Sequence, residues 1–298
     1  MQKISKKVIL KKGEDEKKEE KMNQDTKHIL ESYKLIALDL DGTLTNDEKE
    51  IPAYTAEVLM KAQKKGIRIA LASGRPAPGL HYERDVLKMQ QYGGVLISYN
   101  GGRIVDASDG SVLYETTLDL QVTKDILRYL KALPVTVILD DGKELYVEDR
   151  NGYQVQQESR NDHMSVVEMP NLAETLNFPV VKLLLSMDPA IIYEVQKQIA
   201  EYLPEDLTVV RTAPFYLEII PKIISKGQGI LHACEYLGIR PEEVIAFGDA
   251  ENDISMIKVA GMGIAMGNAE DAVKLVADMV TLSNNEDGIA VALEQLLG

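Results

Sequence analysis

Two aspartates, Asp39 and Asp41, follow an apolar run in residues 35–47, LIALDLDGTLTND. The run is typical of a buried strand, and residues i and i+2 of a strand point to the same side. The pattern therefore predicts two carboxylates close together on one face. Because like charges at short distance destabilise each other's ionised form, we expect a cation or a different task for each carboxylate.

Three other apolar runs also end in polar residues. These ends are Ser73-Gly74-Arg75, Asn100-Gly101-Gly102 and Asp249-Ala250-Glu251-Asn252-Asp253. A single polar strand end is usually a turn or a helix cap. In open parallel sheets, however, ligands bind beyond the carboxyl ends of the strands, so four such ends indicate a shared site.

The carboxylates Asp39, Asp41 and Asp249 indicate a metal site at these strand ends. Oxygen ligands alone suit Mg²⁺ rather than zinc, and Mg²⁺ completes its octahedron with water and substrate phosphate. A calcium-binding EF-hand loop is disfavoured, because Thr43 stands where that loop needs an acidic or amide residue. The sequence thus predicts Mg²⁺-assisted phosphate chemistry.

A phosphate-binding turn is predicted at Ser73 and Gly74, in the stretch LASGRP. The stretch follows a strand and precedes a helix, with Pro76 suited to the first helical turn. The Ser73 hydroxyl and the Gly74 amide would then face an anion at the positive end of that helix. The alternative is that Ser73 simply caps the helix.

The elements that must position these residues alternate between strand and helix. Nearly continuous apolar runs predict the strands LIALDL, IRIALA, GGVLISYN, EEVIAFG, GMGIAMG and DMVTLS. Helices are predicted at residues 52–65 and after Arg75. Apolar strands separated by helices indicate an α/β fold with a doubly wound parallel sheet covered on both faces.

Residues 118–217 have a different texture, which predicts an inserted α+β domain. PVTVILDDGKELYVED reads as an antiparallel hairpin around an Asp-Gly turn, DLQVTKDILRYLKAL and PAIIYEVQKQIAEYL as helices, and PVVKLLLSM and LTVVRTAPFYLEIIP as further strands. QQESRNDH, residues 156–163, offers candidate polar contacts for substrate specificity, although the favoured interpretation is a solvated loop. The catalytic core is then expected at residues 34–117 and 218–298.

Residues 1–33 are expected to be an extension to the fold. KKGEDEKKEEK at residues 11–21 carries five charges of each sign and offers no apolar surface to a core. It predicts a disordered segment or a solvated helix, and Met22 is an alternative start.

Charge and composition narrow the classes of partner. The 298 residues hold 33 Lys and Arg against 47 Asp and Glu, a net charge of −14, which argues against nucleic acid or an anionic membrane surface. The single cysteine, Cys234, excludes an internal disulfide, and no run approaches the roughly 20 apolar residues of a membrane span. We expect a cytoplasmic monomer or weak homo-oligomer acting on a small molecule.

Four ordered motifs give the chain a family resemblance. DLDGTL, SGR, SKG at residues 225–227 and GDAENDISM resemble the motifs of the haloacid-dehalogenase-like (HAD) superfamily. NGG and EIIPKIISKG resemble its Cof-type sugar-phosphatase branch. The resemblance implies a Rossmann-like core with a type IIB cap inserted between the second and third motifs.

The resemblance also implies roles for the catalytic residues. Asp39 would be the nucleophile that forms an aspartyl-phosphate, and Asp41 the general acid and base. Lys226 would neutralise charge shared by the phosphoryl group and Asp39. Asp249 would complete a metal shell begun by Asp39 and Asp41.

The remaining motif residues are expected to bind phosphate or to support the site. Asn252 should join Ser73, Gly74 and Lys226 around the phosphate. Asp253 should hold Lys226 or a metal-bound water, or else cap the following helix. Arg75 and Asn100 are expected to be supporting residues, and Arg75 could orient substrate or bridge to a core carboxylate.

The function predicted from these residues is a Mg²⁺-dependent phosphatase of small phosphorylated metabolites, such as sugar phosphates. A phosphomutase is an alternative. Phosphoglucose-type mutases of this superfamily usually carry a helical cap after the first motif, however, and in this chain only about 30 residues separate Asp41 from Ser73. Dehalogenase chemistry is disfavoured, because it needs no second acid such as Asp41. A non-catalytic phosphosugar-binding regulator is the other alternative, disfavoured because Asp39, Asp41 and Lys226 are all present.

Overall fold

A computed structural model describes residues 33–297 of the chain. The predicted extension therefore lies outside the described residues, apart from Tyr33, and so does the alternative start at Met22. Within residues 33–297, every helix is too short or too polar to cross a membrane.

The described residues form strands and helices in alternation. The strands are β1 (Leu35–Asp39), β2 (Arg68–Ala72), β3 (Val95–Ser98), β4 (Arg103–Asp106), β5 (Val112–Glu115), β6 (Thr136–Asp140), β7 (Glu144–Val147), β8 (Ser165–Glu168), β9 (Leu183–Ser186), β10 (Leu207–Ala213), β11 (Tyr216–Pro221), β12 (Val244–Gly248), β13 (Met262–Ala265) and β14 (Met279–Val280). The helices are Ala53–Lys64, His81–Val86, Met89–Tyr92, Leu120–Leu130, Val155–Asp162, Leu172–Thr175, Ile192–Tyr202, Lys226–Leu237, Ile254–Val259, Asp271–Val276 and Gly288–Leu297. Short 3-10 turns lie at Ala77–Leu80, Tyr99–Gly101, Pro241–Glu243, Glu251–Asp253 and Asn284–Glu286.

The first sheet, called the core sheet below, has the strand order β14-β13-β12-β1-β2-β3-β4-β5. β1 lies at its centre and pairs in parallel with both β12 and β2. The carboxyl ends of these three strands therefore meet at one edge of the sheet, where three of the predicted polar motifs begin. The α/β fold with a parallel sheet is confirmed.

Both faces of the core sheet are buried, which explains the continuous apolar runs. Ile36 and Leu38 of β1 pack in one cluster, with Leu59 and Leu293 of the flanking helices. Residues of the opposite parity pack in a second cluster against helix Lys226–Leu237. Because each face is covered by helices, no position along β1 is free to be polar until the strand ends at Asp39.

Strands β4 and β5 extend the core sheet in antiparallel fashion and were not anticipated from the sequence. β5 is an edge strand whose residues are exposed or half-buried, so it lacks the apolar run that marks the central strands. Its short, mixed sequence gives little periodicity from which a strand could be recognised.

The second sheet, called the cap sheet below, has the order β10-β11-β9-β6-β7-β8. Its β6–β7 hairpin is antiparallel, as predicted, and turns at Asp141-Gly142, where Gly142 has φ +85°. Helices Leu120–Leu130 and Ile192–Tyr202 bury their apolar faces against one side of this sheet. The sheet thus has its own hydrophobic core.

Two details of the inserted region differ from the sequence-based interpretation. Residues 156–163, interpreted as a solvated loop, belong largely to helix Val155–Asp162, in which Glu158 and Asp162 are buried. Polar composition concealed this helix because its inward positions carry acids instead of apolar residues. In addition, the boundary expected between residues 217 and 218 falls inside β11, and the chain leaves the cap sheet only after Pro221.

Candidate active site

Lys226 occupies the centre of the polar edge of the core sheet. Its Nζ donates to Asp39 Oδ1 at 2.5 Å and to Asp253 Oδ1 at 2.6 Å. The lysine side chain is only 1% exposed. A buried ammonium is costly unless it is paired, so these two carboxylates are what makes the position tolerable.

The position of Lys226 is set by the start of helix Lys226–Leu237. The Ser225 hydroxyl caps this helix by accepting from the Gln228 amide at 3.2 Å. Lys226 is therefore the first helical residue, at the positive end of the helix dipole, where a cation is disfavoured. Burial and the dipole both oppose a lysine here, which indicates that its charge serves the site rather than the fold.

Asp253 has both carboxylate oxygens engaged. Oδ1 accepts from Lys226, while Oδ2 accepts from the backbone amides of Asp249 and Ala250 at 2.9 and 3.0 Å. It makes no side-chain cap to helix Ile254–Val259, so the capping alternative considered from the sequence is not observed. Asp253 instead ties Lys226 to the backbone that follows β12.

Asp249 lies one residue after β12 and is held by the turn that follows β1. Thr43 Oγ1 donates to Asp249 Oδ1 at 2.7 Å. Gly42 has φ +88°, and a Cβ at this position would lie 2.5 Å from Asp249 Oδ2. Only glycine fits here, because the backbone is left-handed and must approach the carboxylate closely.

Asp39, Asp249 and Asp253, with Lys226, are called the nucleophile cluster below, after the role that the sequence predicts for Asp39. One oxygen of each carboxylate lies within 4.8 Å of the others. Burial, together with the charges of Asp253 and Asp249, raises the pKa of Asp39 to about 8 even though Lys226 opposes the shift. Burial likewise raises the pKa of Asp249.

Three carboxylates and one ammonium leave an excess of negative charge in the nucleophile cluster. A divalent cation would offset this excess and restore the ionised forms of Asp39 and Asp249. The donors are all oxygen, which is the set that hard cations such as Mg²⁺ prefer. The residues therefore fit a metal ion.

The side chain of Asp41 points away from this cluster. Arg75 Nη2 donates to its two oxygens at 2.9 and 2.7 Å, and Lys49 Nζ donates to Oδ1 at 2.8 Å. Although burial opposes it, the charges of Arg75 and Lys49 lower the pKa of Asp41. The like-charge crowding expected from the sequence is thus relieved, because Asp39 and Asp41 have different cationic partners.

Ser73 and Gly74 lie beyond β2, in a turn held by β3 and its following residues. The Ser73 amide donates to Ile97 O at 2.9 Å, and the Ser73 hydroxyl accepts from the Arg75 amide at 3.2 Å. The hydroxyl therefore closes the turn and does not cap the helical segment, whose N-cap residue is Pro76. Residues 73–75 are called the phosphate loop below, after the role that the sequence predicts for Ser73 and Gly74.

Asn100 joins the phosphate loop to the residues after β12. Its Oδ1 accepts from Asn252 Nδ2 at 3.0 Å, and its Nδ2 would lie 3.1 Å from a Cβ at Gly74. Tyr99 and Asn100 both have positive φ, 52° and 55°. Consecutive left-handed non-glycine residues carry backbone strain, and such strain concentrates at functional sites.

Three contacts of this site were missed by sequence reasoning: those of Thr43, Lys49 and Asn268. Asn268 Nδ2 donates to Gly42 O at 2.8 Å and so supports the turn beside Asp249. Thr43 could have been found as the hydroxyl within DLDGTL. Lys49 and Asn268 carry no local signal, because only the fold brings them to the turn.

The chain matches the haloacid dehalogenase-like hydrolase family over residues 36–293. This chain belongs to that family. A crystal structure of a haloacid dehalogenase-like hydrolase from Bacteroides thetaiotaomicron is 40% identical, with a TM-score of 0.83, covering 89% of this chain and 99% of the other.

Two further relatives of this HAD hydrolase are named as phosphatases. The structure of a HAD subclass IIB sugar phosphatase is 27% identical, with a TM-score of 0.70, and covers 88% of this chain and 98% of the other. The 5-amino-6-(5-phospho-D-ribitylamino)uracil phosphatase YitU of Bacillus subtilis is 30% identical over 267 residues, 88% of this chain and 96% of the relative. The predicted family and the enzyme class, a HAD-type phosphatase, are confirmed.

Proposed function

We propose that this chain is a Mg²⁺-dependent phosphatase that hydrolyses small phosphorylated metabolites, such as sugar phosphates, through an aspartyl-phosphate on Asp39. The nucleophile cluster is the observation that carries this proposal. It sets a buried carboxylate at the end of the central strand, 2.5 Å from a buried ammonium and near a second carboxylate that directly follows the neighbouring strand β12. A nucleophile for phosphorus needs such neighbouring positive charge.

The metal would be held by the carboxylates of Asp39 and Asp249 and by the backbone carbonyl of Asp41. Asp253 is a poorer ligand, because Lys226 and two backbone amides already occupy both of its oxygens. When bound, Mg²⁺ supplies charge neutralisation to the transferring phosphoryl group. Thr43 orients Asp249 toward this role through its hydrogen bond.

Asp39 would attack phosphorus in line and displace the alcohol, which splits hydrolysis into two displacements. Asp41 would protonate the departing alkoxide and then accept a proton from the attacking water. Because Arg75 and Lys49 favour the ionised form of Asp41 in this arrangement, substrate would have to displace at least one of them before Asp41 takes up a proton. Its partners Arg75 and Lys49 hold the carboxyl at the partly exposed side of the site, where an alcohol can leave. Lys226 would stabilise charge on the phosphoryl oxygens and on Asp39.

The phosphate loop and Asn252 would bind the remaining phosphoryl oxygens. The loop lies beside Asn100, which contacts Asn252, so a phosphate bound by one is within reach of the other. Arg75 and Asn100 would support the site without taking part in bond making.

The substrate is expected to be small, because the cap sheet lies close above the phosphate loop. Relatives named for a sugar phosphate and for a phosphorylated ribitylamino-uracil support a hydroxylated leaving group without choosing one. The phosphomutase alternative is less well supported, since within residues 42–67 a single helix, Ala53–Lys64, stands where such enzymes usually carry a helical cap. A cytoplasmic location and a monomer or weak homo-oligomer belong to the same proposal.

Release of inorganic phosphate from a panel of sugar phosphates, nucleotides, pyridoxal phosphate and flavin mononucleotide tests the proposal. We expect turnover with Mg²⁺, loss of turnover with EDTA, and recovery on adding Mg²⁺ back. Asp39→Asn should be inactive under all three conditions.

Phosphate release that survives both EDTA and Asp39→Asn would rule out the aspartyl-phosphate mechanism. Tight binding of one phosphosugar without any turnover would instead favour the regulator. Conversion of one sugar phosphate into an isomer without phosphate release would favour the mutase.

A further inference from the structure

A second buried lysine, Lys182, connects the cap sheet to the phosphate loop. It directly precedes β9, and its side chain is 7% exposed. Its Nζ donates to Glu218 Oε1 at 2.6 Å and to the backbone carbonyl of Gly74 at 3.3 Å. One cap-sheet side chain thus reaches the backbone of the proposed phosphate site.

The three carbonyls of the phosphate loop have different donors. The carbonyl of Ser73 accepts from the Asn100 amide at 2.8 Å, and that of Arg75 accepts from the Tyr99 amide at 3.1 Å. Both donors are backbone groups of the core. The middle carbonyl, that of Gly74, accepts from Lys182 of the cap sheet.

Gly74 is the loop residue that most needs an external support. Glycine has no side chain to limit its backbone dihedrals, so its peptide reorients more easily than that of its neighbours. A hydrogen bond to its carbonyl fixes the peptide that ends in the Arg75 amide, which in turn donates to the Ser73 hydroxyl. The orientation of this hydroxyl, a predicted phosphate ligand, thereby depends on Lys182.

The surroundings of Lys182 keep its ammonium charged and in place. Burial opposes the charge, but Glu218, Glu158 and Asp162 together raise the pKa of Lys182. The Tyr99 ring lies 5.8 Å from Nζ, within the range of a cation–π contact. The lysine is therefore held between an acid on β11 and the core residues that follow β3.

We propose that Lys182 is a positioning residue, through which the cap sheet fixes the middle peptide of the phosphate loop and so couples cap docking to phosphate binding. The inference rests on the proposed function, because it takes residues 73–75 to bind phosphate. The coupling is reciprocal: a docked cap strengthens phosphate binding, and bound phosphate favours the docked cap.

Inorganic phosphate is the appropriate probe, because it has no leaving group that the cap could recognise. Its affinity is measured by calorimetry at saturating Mg²⁺ for the wild type, Lys182→Met and Glu218→Gln. Lys197→Met is the control, since Lys197 is an exposed lysine of the cap-side helix Ile192–Tyr202. Turnover of p-nitrophenyl phosphate is followed in parallel.

We expect Lys182→Met to weaken phosphate binding by about tenfold, as for loss of a charged hydrogen bond, and Lys197→Met to leave it unchanged. Glu218→Gln should weaken it by about threefold, because Lys182 loses the acid that aims it. This second variant preserves side-chain volume, so it tests the inference even if Lys182→Met does not fold.

Unchanged phosphate affinity in the folded variants, with Mg²⁺-dependent turnover intact in the wild type, would overturn this inference alone. A higher KM for an organic ester with unchanged phosphate affinity would also overturn it, since Lys182 would then recognise the leaving group. A wild type with neither turnover nor phosphate binding would overturn the proposed function and this inference with it.

Discussion

Two buried lysines are each paired with carboxylates, Lys226 at the polar edge of the core sheet and Lys182 beside the cap sheet. In the nucleophile cluster, Lys226 contacts two carboxylates, and a third, that of Asp249, lies within a metal-binding distance of both. Beside the cap sheet, Lys182 contacts the carboxylate of Glu218, and three further acids lie near it. The cap-sheet cluster is defined as Lys182, Glu218, Asp140, Glu158 and Asp162. Among the described residues, only the first cluster converges its oxygens tightly enough to hold a metal ion.

The difference between the clusters follows from the architecture of the two sheets. Parallel strands end at a common edge, so residues after β1 and β12 meet at a point and their carboxylate oxygens converge. The cap sheet is largely antiparallel, and its acids come from β6, β11 and helix Val155–Asp162. Within residues 33–297, no three acids of this sheet converge as those of the nucleophile cluster do. Buried charge is therefore common to both clusters, and it is the convergence of oxygen atoms that distinguishes the proposed reactive centre.

The largest expected effects lie within the DxD pair itself. Asp39→Asn should reduce turnover by at least ~10⁴-fold, because the nucleophile is lost, and Asp41→Asn by ~10²- to 10⁴-fold, because proton transfer is lost. Turnover and Mg²⁺ affinity are measured for both. Asp41→Asn should retain most of the Mg²⁺ affinity, since only its backbone carbonyl would bind the metal. An equal fall in Mg²⁺ affinity in the two variants would show that this division of tasks is wrong.

The next effect compares the two lysines directly by the same substitution. Lys226→Met should lower turnover by about 10³-fold, because it removes charge at the reacting phosphoryl group, whereas Lys182→Met should lower it by about tenfold. Steady-state kinetics on one ester, with thermal unfolding to verify folding, gives both numbers. Similar losses in the two variants would remove the distinction drawn between a catalytic and a positioning lysine.

A smaller effect is expected at Thr43, which contacts the nucleophile cluster without belonging to it. Thr43→Val removes the hydroxyl that donates to Asp249 while keeping the side-chain shape. Mg²⁺ affinity, measured by calorimetry, should fall by about tenfold, as is usual for residues that orient a metal ligand. Thr45→Val is the matched control, because the Thr45 hydroxyl donates to Leu40 O and contacts no carboxylate of the cluster. Equal losses in both variants would assign the effect to packing.

The smallest effect on turnover is expected at the cap-sheet cluster, where the predicted change is in the pH dependence of stability. Burial and the neighbouring charge of Glu158 raise the pKa of Asp162 to about 8. Between about pH 4 and pH 8 the carboxyl is then neutral when folded but ionised when unfolded, so the wild type loses stability as the pH rises. Asp162→Asn removes this penalty.

Urea unfolding at pH 5 and pH 8 measures the effect of Asp162→Asn. The gain in free energy of unfolding should be about 4 kcal/mol larger at pH 8 than at pH 5, because each pH unit between the two pKa values is worth about 1.4 kcal/mol. The exposed control Glu201→Gln should show no such difference. A gain that does not grow with pH would mean that Asp162 is ionised in the folded protein.

Much of the fold could be predicted because the core strands are buried on both faces. Apolar runs predict β1, β2 and β12, and the Asp-Gly turn predicts the β6–β7 hairpin. The edge strand β5 and helix Val155–Asp162 could not be found in this way. β5 has little burial, and the helix buries Glu158 and Asp162, whose charges imitate a solvated segment.

For the site, the sequence by itself determined which residues stand at the strand ends, since Asp39, Asp41, Ser73 and Asp249 each follow an apolar run. It could not determine their partners. Only the tertiary structure decided that Asp41 turns to Arg75 and Lys49 and that Lys182 reaches Gly74. The physical reason is that strand ends are a local consequence of periodicity. The hydrogen bonds and ion pairs of the site instead join residues up to 108 positions apart in these contacts, and they depend on how the chain packs.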